Sequence, residues 1–246
     1  MASLAIIGGT GLTTLKNLEI EHRQVMQTPF GEPSGPITHG RIKGKAVVFL
    51  PRHGTGHTIP PHRVNYRANL WALQAIGVRR VIAVAAVGGI RRDMAPARIV
   101  FPDQIIDYTW SRQHTFFERD NEPVVHIDFT RPYCDELRDR LIAAAAAAGI
   151  DAIEEATYGA TQGPRLETAA EVDRMARDGC DIVGMTGMPE AALARELELC
   201  YATCAVVANW AAGRDGQSIA MEEIEQNLVQ GMQQVRTLLE EAIPGL

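Results

Sequence analysis

The chain of 246 residues carries 24 Lys plus Arg against 30 Asp plus Glu, a formal charge of −6, with 46% hydrophobic and 22% charged residues. This is the composition of an ordinary globular protein, and its acidic balance offers no electrostatic footprint for a nucleic acid. Lysine occurs only at Lys16, Lys43 and Lys45, so lysine-dependent chemistry is excluded beyond residue 45, and none of the three stands in a Gly-Lys-Ser/Thr phosphate loop.

Runs of aliphatic and β-branched residues at Leu4 to Ile7, Ala46 to Leu50, Val81 to Val87, Ile99 to Ile106, Asp181 to Met185 and Tyr201 to Ala208 predict strands buried on both faces. Between them Asn65 to Ile76, Tyr133 to Ala148, Thr168 to Arg177, Pro189 to Leu199 and Met221 to Glu241 read as helices. Gly77 and Gly149 stop two of them, and Pro189 suits the first turn of another. The six alanines from Ala143 to Ala148 read as plain helix, because Leu137, Leu141 and Ile142 give the segment an apolar face. Nothing divides the chain, so residues 1–246 are expected to form one α/β domain around a central sheet. The longest apolar stretches fall well short of the roughly 20 residues of a membrane-spanning helix. The N-terminus has no basic start or secretory apolar run. A cytoplasmic protein without a membrane partner is therefore expected, with Cys134, Cys180, Cys200 and Cys204 as buried reduced thiols.

The residues that carry chemistry gather at strand ends. Leu4 to Ile7 runs into Gly8-Gly9-Thr10-Gly11, which can be a phosphate cradle, a dinucleotide fingerprint or a tight turn. The dinucleotide reading lacks its third glycine, the place being Thr14. The stretch from Leu12 to Pro29 is also too short and polar for the following helix and strand, and the Tyr-x-x-x-Lys pair of the related epimerases and reductases is impossible where no lysine exists.

Pro51-Arg52-His53-Gly54-Thr55-Gly56-His57 follows another strand and places a guanidinium, able to grip an anion with two parallel bonds, in a glycine-rich loop. His53 and His57 are four apart, but the glycines between them argue against a helix, and no third ligand is evident, so no metal is expected. Ala85-Ala86-Val87-Gly88-Gly89 and Gly184-Met185-Thr186-Gly187-Met188-Pro189-Glu190 are further strand ends with exposed backbone donors, Thr186 being also a candidate helix cap. Glu167, in Gly163-Pro164-Arg165-Leu166-Glu167-Thr168, either serves a site or complements a helix dipole.

Taken in order, Gly-Gly-Thr-Gly, Thr28-Pro29-Phe30-Gly31, Arg-His-Gly-x-x-His-Thr, Val64-Asn65-Tyr66-x-Ala68-Asn69-x-Trp71-Ala72-Leu73, Gly-Pro-Arg with an acid after it, and Met-Thr-x-x-Pro-Glu resemble the trimeric purine nucleoside phosphorylase and methylthioadenosine phosphorylase family, from about residue 3 to 244. The resemblance implies a mixed, partly barrel-like sheet flanked by helices and a homotrimer. It implies no metal and no cofactor, inorganic phosphate being a co-substrate in cleavage of a purine nucleoside. Phosphate would be held by Thr10, Arg52, His53, the Ala86 backbone and Thr186, with Met185 beneath the sugar. Ala85 departs from relatives that carry a hydroxyl there.

Asn209, in Ala208-Asn209-Trp210-Ala211, matches the position that contacts purine N7. With Asn209, Trp210 and Ala211 in place of the acids of methylthioadenosine enzymes, and with Glu167 as acceptor for the base N1–H, the base end resembles 6-oxopurine phosphorylases. Leu166 stands where relatives place an aromatic. His57, Met221 and, from a neighbouring subunit, His126 match the surroundings of an apolar 5′ substituent. The C-terminal extension that closes this pocket in some relatives is expected to be missing after Ile243-Pro244. A 6-oxo base with an apolar 5′ group fits 5′-methylthioinosine.

Overall fold

In chain order the strands are β1 (Leu4–Gly8), β2 (Glu19–Gln24), β3 (Ile37–Ile42), β4 (Lys45–Pro51), β5 (Arg80–Gly89), β6 (Ile99–Val100), β7 (Gln104–Asp107), β8 (Thr157–Ala160), β9 (Ile182–Gly184) and β10 (Cys200–Trp210). The helices are α1 (Tyr66–Ala75), α2 (Asp135–Ala147), α3 (Ala169–Arg177), α4 (Gly187–Glu196) and α5 (Met221–Ala242). This is a computed structural model, and it describes residues 2–12, 15–118, 123–216 and 220–246. Thr14 lies outside the described residues.

Strand β1 shows why the chain forms layers. Its side chains alternate between two apolar clusters, Ala5 and Ile7 entering one and Leu4 and Ile6 the other. That is the period-2 geometry of a strand covered on both faces. On the first face Leu70 and Leu73 of α1 and Ala191 and Leu193 of α4 complete the cluster. On the second, Leu137 and Leu141 of α2 meet Leu228, Met232, Val235 and Leu239 of α5, whose three- and four-residue spacing makes one helical stripe. A third, smaller cluster joins Val172 and Met175 of α3 to Val183 and Ala211. The α/β architecture is thus a ten-stranded mixed sheet in the order β2-β3-β4-β1-β5-β9-β8-β7, with β10 pairing β5 and β6 off that path.

Three local expectations change. The run from Ile99 to Ile106 is two strands, because Pro102 has no N–H to continue a ladder. The Arg138 guanidinium donates to the Phe101, Pro102 and Glu154 carbonyls, satisfying acceptors around the break. The β2–β3 hairpin and short β8 carry no apolar run that would mark them, β2 being exposed almost throughout. Cys134 and Cys200 are not separate thiols. They form a disulfide between the residue preceding α2 and the first residue of β10, while Cys180 and Cys204 are free and buried. The positions lie 66 residues apart in sequence and look unrelated there, but the Cys134 N–H donates to the Tyr201 carbonyl and brings the segments together.

Thiol titration in denaturant without reductant is therefore expected to find two reactive thiols, Cys180 and Cys204, and all four after reduction. Reduction should also lower the melting temperature, by the equivalent of at most about 4 kcal/mol for a loop of this length. Four thiols before reduction would contradict the pairing.

Candidate active site

On one edge β5 pairs with β1 as far as Ala83 and with β9 from Gly88. Val84 to Val87 have neither neighbour on that edge, because the chain after β1 turns away at Gly9-Thr10 and β9 arrives from the opposite direction. A cavity of about 260 Å³ lies at this gap. It sits toward the carboxyl ends of the parallel strands β1, β5 and β10, the side on which open α/β sheets collect ligands.

Thr10, Ala86, Leu166, Glu167, Met185, Thr186, Asn209, Ala211 and Met221 all line it. One cavity thus brings together nine of the residues singled out from the sequence. Pro61, Ile224 and Leu228 add apolar wall.

Several of these side chains are left with spare hydrogen-bonding capacity. Thr186 occupies the cap position of α4 but makes no capping bond with its side chain, so its hydroxyl, which meets Tyr158, can turn to a ligand. Met188 is extended inside that segment (φ −117°, ψ 141°), and the regular helix follows Pro189 as expected. Asn209 follows a register shift between Val207 and Asn209 on β10, a bulge with Ala208 as the extra residue. The Asn227 amide of α5 donates to the Ala208 carbonyl at 2.9 Å. Asn209 Nδ2 donates to the Trp210 carbonyl, leaving a second N–H and Oδ1 for the cavity. Glu167 is not spent on the α3 terminus, which Thr168 and Glu171 cap reciprocally. It accepts instead from Thr161 Oγ1 at 2.6 Å. At Gly163 (φ +60°) a Cβ would lie 2.4 Å from Met185 Sδ, so only glycine lets the segment carrying Glu167 approach Met185 this closely.

Arg52 and His53 stand outside the lining. The Arg52 guanidinium is 1% exposed, donates from Nε and Nη2 to the two Glu190 oxygens at 2.7 Å each, and gives Nη1 to the carbonyl of Val84 in the β5 gap at 2.8 Å. Tyr201 donates to the same carboxylate at 2.8 Å. Burial lowers the guanidinium pKa, but the Glu190 charge and hydrogen bonds outweigh it and the net shift is upward, so the guanidinium keeps its charge. Two N–H groups of Arg52, one on each terminal nitrogen, remain unassigned.

His53 Nδ1 meets the Ile59 carbonyl at 2.8 Å. Since a carbonyl only accepts, Nδ1 carries the proton and Nε2 is the acceptor of the neutral ring. Burial first, then the Arg52 charge, lower the His53 pKa to about 4, so the ring is neutral at pH 7. His57, exposed, stacks obliquely near His53 with ring centroids 4.8 Å apart. Trp210 continues β10 beside Gly89 without lining the cavity, and His126 is exposed and outside the lining. Among the described residues no group of three or more His, Cys, Asp or Glu is placed to hold a metal, and no helix is long and apolar enough to cross a membrane.

A family model described as the phosphorylase superfamily matches residues 3–244. The chain belongs to that superfamily. It is similar to a probable S-methyl-5′-thioinosine phosphorylase of Pseudomonas syringae pv. tomato, 56% identical over 97% of each chain. It is 45% identical to the 6-oxopurine nucleoside phosphorylase of Pyrococcus furiosus, over 99% of this chain and 93% of that one. A solved methylthioadenosine phosphorylase from Schistosoma mansoni superposes with a TM-score of 0.95 at 32% identity, covering 99% of this chain and 91% of the other. The helix and second strand of a dinucleotide unit are absent from the described residues after Gly11, where the chain goes to the exposed edge strand β2 and its antiparallel partner β3.

Sequence reading missed three groups that this phosphorylase uses to build its cavity: Glu190, Tyr201 and Asn227. An acid among apolar helix residues, as in Met188-Pro189-Glu190-Ala191-Ala192-Leu193, is a signal for a buried partner, since such an acid is rarely tolerated alone. Removing the charge with Glu190→Gln strands a buried guanidinium and is expected to cost about 3–5 kcal/mol in urea unfolding. Tyr201→Phe, losing one hydrogen bond to a charge, should cost about 1.5–3 kcal/mol. Because the unfolded His53 protonates near 6.5 and the folded one only near 4, the unfolded chain binds more protons between those values. Stability contributed by His53 is thus full above about 6.5 and is lost as pH falls toward about 4. His53→Asn is expected to flatten the wild-type decline in that window; identical pH slopes would contradict it.

Proposed function

We propose that this phosphorylase cleaves S-methyl-5′-thioinosine with inorganic phosphate, giving hypoxanthine and 5-methylthioribose 1-phosphate. The observation that carries the reading is the meeting, in one cavity, of a carboxamide, Asn209, and an acceptor, Glu167, with the apolar Met221, Ile224 and Leu228. The remaining N–H of Asn209 can donate to N7 or to a 6-oxo group, and Glu167 can accept from N1–H. Ala211 brings no carboxylate for a 6-amino group, and Met221, Ile224 and Leu228 offer a methylthio group an apolar wall.

In the reaction a phosphate oxygen bonds to C1′ as the C1′–N9 bond breaks, and the electron pair of that bond leaves with the purine. Positive charge grows on the sugar and negative charge on the base, so catalysis requires a placed anion and a donor to the departing ring. Thr10, the Ala86 N–H and Thr186 are the proposed phosphate ligands, with Arg52 and His53 behind them, and Met185 underlies the sugar. The proton lost by hydrogen phosphate on ester formation balances the one gained by hypoxanthine. A neutral His53, with Nε2 free, suits acceptance of a hydrogen bond from hydrogen phosphate. No metal or cofactor is needed, and a cytoplasmic location is proposed.

The reading includes a homotrimer. His126 is exposed, as are Trp110, Phe117, Val124 and Val125 in the same part of the chain. A neighbouring subunit covering that surface would receive His126 near its 5′ pocket, beside the place of His57.

Phosphate-dependent release of base is expected to be fastest with methylthioinosine, slower with methylthioadenosine and slower with inosine. Equal turnover of methylthioadenosine would overturn the base assignment; faster inosine would overturn the 5′ assignment. Asn209→Asp is expected to shift the kcat/KM ratio of methylthioinosine to methylthioadenosine by roughly tenfold toward the 6-amino compound, about one hydrogen bond. An unchanged ratio would remove Asn209 as selector.

A further inference from the structure

Arg112 lies outside the cavity lining and carries no part of the chemistry described above, yet it touches the segments that form both ends of the site. Its side chain is buried, at 8% exposure. Nη1 donates to the Met185 carbonyl at 2.8 Å and to the Met188 carbonyl at 2.6 Å, on either side of Thr186. Nη2 donates to the Thr161 and Gln162 carbonyls at 3.1 and 2.8 Å, and Nε to Gln162 Oε1 at 3.1 Å. Thr161 is the residue whose hydroxyl bonds Glu167. The guanidinium also lies over the Tyr66 ring, 5.7 Å from its centroid, and Tyr66 in turn donates to the carbonyl of the cavity residue Pro61. Each nitrogen of the guanidinium thus meets oxygen acceptors, and those on its two terminal nitrogens come from different loops.

We propose that Arg112 is a positioning residue that couples the purine end of the cavity to its phosphate end. This rests on the assignment of Glu167 to the base and of Thr186 to phosphate. A base seated on Glu167 fixes Thr161 and Gln162, and their carbonyls fix the plane of the guanidinium. A fixed guanidinium in turn holds the Met185 and Met188 carbonyls, and so the hydroxyl of Thr186 between them. The Thr161 N–H, donating to the Gly184 carbonyl at 2.8 Å, and the close approach of Gly163 to Met185 join the same two segments directly. The planar fork is essential to this role: a lysine ammonium, a single point with three donors, cannot bridge four carbonyls of two loops. Coupling of this kind is reciprocal, so phosphate tightens the base by the factor by which the base tightens phosphate.

The test is calorimetric titration of hypoxanthine into the protein with and without saturating inorganic phosphate, for wild type, Arg112→Lys and Gln162→Ala, with far-UV circular dichroism to establish that each variant is folded. Wild type is expected to bind hypoxanthine at least about fivefold more tightly with phosphate present. In Arg112→Lys the factor should fall below about twofold, with an intermediate value in Gln162→Ala, which loses the Nε contact and the Trp110 N–H bond to the same oxygen but keeps the four carbonyl contacts. In Arg112→Ala, added methylguanidinium is expected to restore part of the factor. Full coupling in either folded variant, or a uniform loss of both affinities with the factor preserved, would overturn the proposal, as would independent binding in wild type. Failure of wild type to bind hypoxanthine or phosphate at all would instead overturn the functional reading beneath it.

Discussion

Removed from water, the charges of Arg52 and Glu190 are tolerable only in each other's company, so the two segments that carry them have to meet. One follows β4 and the other opens α4, 138 residues later in the chain. Their meeting point lies against Val84, inside the gap that β1 and β9 leave along β5. Tyr201 ties β10 to the same carboxylate. Three separate elements are thus set around the cavity by one desolvated pair. Such a pair is weak evidence for high stability, since its desolvation offsets much of its attraction. Its contribution is registry: any other arrangement of the three segments leaves a charge unmatched.

The architecture was legible wherever a segment had a strong period or a hard stop. β1, β5, β10 and all five helices are apolar in the pattern their surroundings demand. The strand ends could be picked out because glycine and threonine cluster there. β2 was illegible because an exposed edge hairpin needs no apolar face, and Glu19 to Gln24 has almost none. The disulfide was illegible for a different reason: two cysteines 66 positions apart carry no local sign that a strand start and a helix start will adjoin.

Within the site, residues that face the cavity were easier to find than those that hold them there. Asn209, Glu167 and Thr186 belong to recognisable strings, and all three line it. Arg112 sits between Ser111 and Gln113, an unremarkable polar stretch, and its importance comes wholly from carbonyls contributed by residues 161–162 and 185–188. Backbone acceptors have no sequence signature, so a side chain that serves them is invisible until the loops are folded. Arg52 shows the converse. Its residue type suggested an anion ligand, whereas its burial and its bidentate carboxylate make it first a structural cation.

The extra residue at Ala208 divides β10 into two parts with separate obligations. Up to Val207 the apolar side chains answer to the two cores, and the pairing with β5 fixes which face each one takes. Past the bulge the alternation restarts, its displaced carbonyl looked after by Asn227. Position 209 is thereby released from the packing that constrains the rest of the strand, whereas Ala211 just beyond it packs into the third cluster. Exchange of side chains there alters what the cavity reads without asking the sheet to repack, which leaves one scaffold open to descendants with different tastes in purine.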